Sequence, residues 1–165
     1  MALFKDIYKE YGKSVYRFLL SLTGDESLSE ELISETFYQA FLHMDKFEGR
    51  CSVFTWLCQI GKNAWLKECR RRKRFEEKEI ESLDIKDVKP NPEEKAVQND
   101  TCERIRKAVY HLEEPYQNVF ILRVFGERKF SEIGRMYDKT ENWARVTYFR
   151  AKSKILQEEE YESEL

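Results

Sequence analysis

Apolar side chains recur at three- and four-residue steps from the start of the chain: Phe4, Ile7, Tyr8, Tyr11, Val15, Phe18, Leu19 and Leu22. That period is the one-sided stripe of an amphipathic helix, so a first helix is expected over residues 3–22, with Gly24 as its stop. Leu28, Leu32, Ile33, Phe37, Ala40, Phe41 and Met44 repeat the pattern and predict a second helix from about Ser27 to Met44. Phe47-Glu48-Gly49-Arg50 interrupts it. Ser52 then stands where a helix cap is needed, ahead of Phe54, Leu57, Ile60, Gly61, Ala64 and Trp65, and this third helix runs out into a basic cluster.

The pattern then lapses. Residues 76–100 carry nine acids, four lysines and Pro90-Asn91-Pro92 with little periodicity, the composition of a flexible linker. Order returns with Cys102, Ile105, Val109 and Leu112. Glu114-Pro115 opens a further helix, because proline suits the first helical turn, and Tyr116, Val119, Phe120 and Val124 carry it to Gly126. Residues 130–137 read as a short helix, Asp138-Lys139 as a turn that tolerates left-handed geometry, and Thr140 as the cap of a last helix reaching about Gln157. Nothing alternates with the period of a strand. The fold class expected is all-α: two small helical domains joined by a flexible linker.

Composition adjusts this picture in three places. Charged residues make up 36% of the 165 positions and apolar ones 41%, which suits narrow helices with one buried stripe and a wide solvated face. The formal net charge of −2 conceals segregation: residues 67–78 hold seven bases against three acids, whereas residues 25–35 hold five acids and no base. One chain can thus offer a nucleic-acid surface and a separate acidic surface. Cys51, Cys58, Cys69 and Cys102 have no C-x-x-C spacing and neither histidine sits by a cysteine pair, so small reduced hydrophobes are expected rather than a metal site. No cofactor-binding pattern is present. No apolar run reaches the roughly 18 residues of a membrane span, and the start of the chain lacks the regions of a signal peptide, so the expected compartment is the cytoplasm.

A short helix, a tight turn and a longer helix make up a helix-turn-helix, expected here at the C-terminal end, with Gly134 small where the helices cross. Ala144, Tyr148, Ala151 and Ile155 form the inward stripe of the last helix. Asn142, Arg145, Val146, Phe149, Arg150 and Ser153 form the opposite one, which combines base-reading donors with a phosphate-reaching arginine. In the first half, Phe47, Phe54, Trp56 and Trp65 interleave with Arg50, Lys62 and Asn63 ahead of Arg70-Arg71-Arg72-Lys73-Arg74. Aromatic faces can stack unpaired bases while cations hold the backbone. Phe54, Trp56 and Trp65 are expected chiefly in the core, which leaves Phe47, in the interhelix loop, as the base contact.

These segments resemble the extracytoplasmic-function (group 4) sigma factors. The resemblance rests on Glu31-Leu32-Ile33-Ser34-Glu35-Thr36-Phe37, Phe47-Glu48-Gly49-Arg50, Phe54-Thr55-Trp56-Leu57 and Ile60-Gly61-Lys62-Asn63 with the arginine run. It continues in Leu112-Glu113-Glu114-Pro115-Tyr116, Leu122-Arg123-Val124-Phe125-Gly126, Ser131-Glu132-Ile133-Gly134 and Arg150-Ala151-Lys152. The family more often has Asp at position 31, Gln at 34, Ser or Thr at 129 and Gly at 138.

What the resemblance implies is a non-enzymatic transcription factor in four parts. Residues 1–75 look like the region 2 domain, which docks on the β′ clamp of core RNA polymerase through Glu31 and Glu35. That domain also opens the −10 promoter element with Phe47, Arg50, Lys62, Asn63, Arg70, Arg71 and Arg72. Residues 76–100 are the linker. Residues 101–158 look like the region 4 domain, which reads the −35 element with Thr140, Asn142, Arg145, Val146, Phe149 and Arg150 and touches the β flap. Residues 159–165 are an acidic tail, and an anti-sigma factor is a further expected partner. Three alternatives stand beside this reading. A regulator using the helix-turn-helix alone would bind promoters without polymerase, and a helical adaptor would need no nucleic-acid face. An enzyme would need an acid/base pair or phosphate loop that the sequence does not offer.

Overall fold

The computed structural model describes residues 2–82 and 97–163, and every regular element among them is helical. The order is α1 (Ala2–Thr23), α2 (Glu26–Leu42), one turn of 3-10 helix (Met44–Lys46), α3 (Val53–Ser82), α4 (Val97–His111), α5 (Tyr116–Val124), α6 (Phe130–Met136) and α7 (Glu141–Ser163).

The helix ends follow from local chemistry. Gly24 closes α1 in the left-handed region, at φ 68°, with its N–H donating to the Leu20 carbonyl at 2.8 Å. Helix α2 starts at Glu26, one residue before the expected start near Ser27, and Asp25 caps it: its carboxylate accepts from the Leu28 N–H at 3.0 Å. That helix stops at Leu42, and Met44 falls in the 3-10 turn. Ser52 caps α3 by accepting from the Thr55 N–H at 3.1 Å.

Three further boundaries differ from the sequence expectation. Helix α3 continues through residues 76–82, since no glycine or proline stands between Gly61 and Pro90 to stop it. Helix α4 begins at Val97, so it also takes in the end of the expected linker, and residues 83–96 lie outside the described residues. Helix α7 passes Gln157 to reach Ser163, because the acidic tail is rich in glutamate, a good helix former, even though the apolar stripe has ended.

The helices pack in two groups. In the first, α1, α2 and α3 contact one another pairwise and bury Val15, Phe18, Leu19, Leu22, Leu28, Leu32, Phe37, Ala40, Leu57, Cys58, Trp65 and Leu66. Each fully buried leucine contributes about 1.5–3 kcal/mol of apolar transfer. Gly61 lets α3 approach closely: a Cβ there would lie 3.1 Å from Leu19 Cδ2 and 3.2 Å from Thr36 Oγ1. In the second group α7 lies against α4, α5 and α6, over Ala108, Val109, Leu112, Val119, Phe120, Ile121, Leu122, Ile133, Ala144, Ala151 and Ile155. The groups also meet directly, where α3 touches α5. Burial raises the Cys58 and Cys51 thiols above their ordinary range and takes Cys69 to about 11, so these three behave as apolar side chains.

Candidate nucleic-acid interfaces

Helix α7 is fixed by its junction with α6. Thr140 Oγ1 accepts from the Trp143 N–H at 3.0 Å, Asp138 adopts φ 53°, and the Lys139 N–H returns to the Gly134 carbonyl at 2.8 Å. A Cβ at Gly134 would lie 2.6 Å from the Thr140 carbonyl oxygen, so the turn closes over a position with no room for a side chain. The turn sets which way α7 faces. Ala144, Thr147, Ala151 and Ile155 are buried and Tyr148 is half-buried, while Thr140, Asn142, Arg145, Val146, Phe149, Arg150 and Ser153 are exposed. Thr147 is polar and so drops out of the apolar pattern, although it lies one turn from Ala144 and Ala151 on the same stripe. Val146 and Phe149 are large apolar side chains left in solvent at 39% and 55% exposure, beside Arg150 and Lys154 along one groove. Arg145 is oriented by Glu141, at 2.8 Å.

The other candidate surface lies along α3 and the loop before it. Phe47 is half-buried and tilts against Trp56, with ring centroids 5.0 Å apart, whereas Trp65 is buried. Phe54 and Trp56 are only half-buried. Asn63 is exposed and lines a groove between α2 and α3 together with Lys67 and Glu35. Beyond it Arg70, Arg71, Arg72, Lys73 and Arg74 all reach solvent. The guanidinium of Arg71, then that of Arg72, holds the Glu68 carboxyl down to about 2 against the cost of its desolvation. Arg71 thereby becomes anchored in a two-point contact with Glu68 at 2.7 and 2.8 Å. On α2, Glu31 is exposed, and Glu35, one turn on, accepts from Gln39 Nε2 at 2.9 Å.

Two of the expected residues are engaged by carboxylates within the protein. Lys62 is buried and its ammonium meets Glu114 Oε1 of the second group at 2.8 Å, while Arg50 pairs with Glu48 at 2.7 Å and lies 3.6 Å from Asp138. Four further residues bridging the groups were missed. Glu132 accepts from Ser52 Oγ at 2.8 Å and from Thr55 Oγ1, and Arg128 lies over the Phe54 ring at 4.5 Å. Arg106 donates to the Leu22 and Ser21 carbonyls at the end of α1, at 3.1 and 3.4 Å. Glu114 itself is positioned by the Tyr137 hydroxyl at 3.3 Å. Desolvation pushes the Glu132 carboxyl up, but the Thr55 and Ser52 hydroxyls and Arg128 outweigh it, and its pKa lies below the usual value. No periodic signal could have found pairs separated by 52 to 85 positions.

Among the described residues no group of His, Cys, Asp and Glu is arranged to hold a metal ion, and no helix is long and apolar enough to cross a membrane. Comparison with known proteins agrees with the motif pattern. The family model described as Sigma-70 region 2 matches residues 7–75. The ECF RNA polymerase sigma factor SigM of Bacillus subtilis (strain 168) is 30% identical over 155 residues, covering 91% of each chain. The RNA polymerase sigma factor YlaC of the same organism is 24% identical, covering 92% of this chain and 88% of its own. Among solved structures, the sigma factor RpoE in complex with the anti-sigma factor NepR from Bartonella quintana has the same fold. Its TM-score is 0.57 at 19% identity, with 97% of this chain and 98% of that one covered. CnrH in complex with the cytosolic domain of CnrY gives 0.53 at 16% identity, over 93% of this chain and 85% of that one. With its helical order, its basic α3 and a relative this similar over nearly its full length, the chain belongs to the extracytoplasmic-function family of RNA polymerase sigma factors.

Proposed function

We propose that this sigma factor docks on core RNA polymerase and directs initiation at promoters whose −35 element it reads with α7 and whose −10 element it opens with α3. The α6–turn–α7 unit acts as the helix-turn-helix. Residues 1–75 form the region 2 domain, extended by the last turns of α3, and residues 101–158 the region 4 domain, entered through α4. The observation that carries the reading is the division of α7 into two faces. Asn142, Arg145, Val146, Phe149 and Arg150 share one exposed face while Ala144, Ala151 and Ile155 anchor the other. Asparagine and arginine match base edges in the major groove, apolar side chains fit thymine methyls, and Arg150 lies within reach of a phosphate.

On the other surface, Phe47 on Trp56 offers a stacking face, Asn63 an edge hydrogen bond, and Lys62, Arg50 and the arginine run counter-charges for the opened strand. Glu31 and Glu35 dock on the β′ clamp, and the second domain touches the β flap. Two weakly binding modules gain affinity once polymerase holds both, as effective concentration replaces a second bimolecular step. The protein works in the cytoplasm, and the RpoE–NepR and CnrH–CnrY complexes support an anti-sigma factor as a further partner. The test is run-off transcription with core polymerase on a library of randomised promoters, followed by sequencing of the transcripts. Two enriched elements at a fixed spacing are expected. Enrichment of a single site, bound equally well without polymerase, would replace this reading with that of an independent regulator.

A further inference from the structure

Three helices bring side chains to one point on the second group. Phe130, the first residue of α6, is half-buried, and its ring centroid lies 5.5 Å from that of Tyr148 on α7. The guanidinium of Arg123, in the last turn of α5, stands 4.5 Å from the centre of the Phe130 ring. The guanidinium of Arg145, on α7, stands 5.7 Å from the same centre. Both fall within the roughly 6 Å over which an aromatic ring attracts a cation.

Each arginine also has a second anchor. Arg123 Nη1 donates to the Arg128 carbonyl at 3.0 Å, and Arg145 Nη2 donates to Glu141 Oε1 at 2.8 Å. Arg145 is thereby held between a carboxylate on its own helix and a ring on the neighbouring one. Glu141 takes only one donor of the guanidinium fork, so the others remain for a base edge. An arginine on a bare helix surface turns through many rotamers, and binding has to select one of them. Glu141 alone is a weak tether, because both members of that pair are about half exposed, at 48% and 53%. The ring adds a constraint from a second element. It favours the held rotamer by a factor of about two to five, and affinity scales with the fraction already in the competent form.

We propose that Phe130 is a positioning residue for promoter recognition: its ring holds Arg145 in the rotamer that meets a base edge, with Arg123 of α5 completing the cationic site. The inference rests on the proposed assignment of the outer face of α7 to the −35 element. Phe130 acts through Arg145 and not by touching a base. The cognate base pair gains from an ordered Arg145, whereas a wrong pair gains nothing. The ring therefore sharpens the choice among bases more than it raises affinity for DNA in general.

The test uses the full-length chain with core polymerase on promoters randomised across the −35 element, each marked by a transcribed barcode that sequencing counts. Arg145→Ala identifies the base pair that Arg145 reads, as the position where preference falls most. Phe130→Leu and Phe130→Met keep apolar bulk against Tyr148. Both should lower the preference at that same pair about two- to fivefold and leave the other positions unchanged. Phe130→Tyr keeps the ring and should match the wild type. In an Arg145→Ala background, Phe130→Leu should change nothing further at that pair. Circular dichroism melting verifies that each variant is folded. Unchanged preference in the leucine and methionine variants, an even loss at every position, or a tyrosine variant that behaves like leucine would each overturn the positioning role. Nuclear magnetic resonance of isotope-labelled arginine side chains in the free chain keeps the two ideas apart. The Arg145 signal should move when the ring is lost and stay when tyrosine replaces it. If it does so while Arg145→Ala leaves every −35 preference intact, the assignment of α7 to the −35 element fails, and the ring holds an arginine with no part in recognition. If Arg145→Ala removes a preference that the Phe130 variants keep, that assignment stands and the platform is rejected.

Discussion

Replacing Gly134 with alanine should destabilise the α6–α7 unit, although alanine is the better helix former. The added Cβ would sit 2.6 Å from the Thr140 carbonyl oxygen and 2.9 Å from that of Lys139. Both obstacles are backbone, and the Lys139 N–H is itself bonded to the Gly134 carbonyl at 2.8 Å, so the turn cannot yield without giving up that bond. Overpacking costs about 1–3 kcal/mol, and a rigid backbone obstacle belongs at the upper end. Helix propensity returns about 1 kcal/mol. The net loss is about 2 kcal/mol, which lowers the midpoint of thermal unfolding by about 4–8 °C for a chain of this length, and by more if the second group melts on its own. Gly61→Ala provides the comparison. Its Cβ would meet Leu19 Cδ2 and Thr36 Oγ1 at 3.1 and 3.2 Å, side-chain atoms that can move by a few tenths of an ångström, so the change in midpoint should be smaller. Circular dichroism melting of both variants reads the difference. A Gly134→Ala protein that melts at or above the wild-type temperature would refute the close-crossing argument.

Three further outcomes follow from the surfaces. Arg145→Ala should weaken binding at particular −35 positions by about 1–3 kcal/mol, measured by anisotropy on single-base variants of a selected promoter; equal loss on every variant would assign Arg145 to phosphate instead. Glu31→Lys combined with Glu35→Lys reverses charge on one face of α2 and should abolish co-purification with core polymerase at unchanged melting temperature, and persistence of the complex would remove this face from the docking model. Phe47→Ala and Asn63→Ala should leave closed-promoter binding near normal yet reduce permanganate reactivity of −10 thymines. Pre-melted templates should restore transcription, and normal reactivity in both variants would place the base pocket elsewhere.

The helices were legible in the sequence because their apolar stripes are long and regular, and the caps of α3 and α7 because Ser52 and Thr140 immediately precede those stripes. That signal is absent where a helix outlasts its stripe. Residues 70–81 of α3 are helical with every side chain exposed, and the last six residues of α7 follow the end of its apolar stripe, so hydrophobic spacing carries no trace of either stretch. Arginine and glutamate on α3 maintain the helix there through local pairs such as Glu68 with Arg71 and Arg72, a signal in charge spacing rather than in hydropathy. For the candidate site, periodicity placed the two faces of α7 because helix geometry alone determines them. The burial of Lys62 against Glu114 was invisible for the opposite reason. Which charge on one group meets which on the other depends on the packing of whole helices, and neither Glu114 nor Glu132 differs locally from a solvated acid.

Helix α3 is continuous over 30 residues, yet its two halves are held by different means. Up to about Cys69 it shares the core of α1 and α2, whereas from Arg70 to Glu81 every side chain is exposed. A helix of about twelve residues is marginal in water by itself, so the outer half stays wound largely because the inner half supplies the nucleus. Amide hydrogen exchange along this one uninterrupted helix should therefore fall into two regimes, with global unfolding required before Cys69 and fraying sufficient beyond it. Within α3, limited trypsin digestion should cut at Arg70–Arg74 and Lys78 before it reaches the buried Lys62.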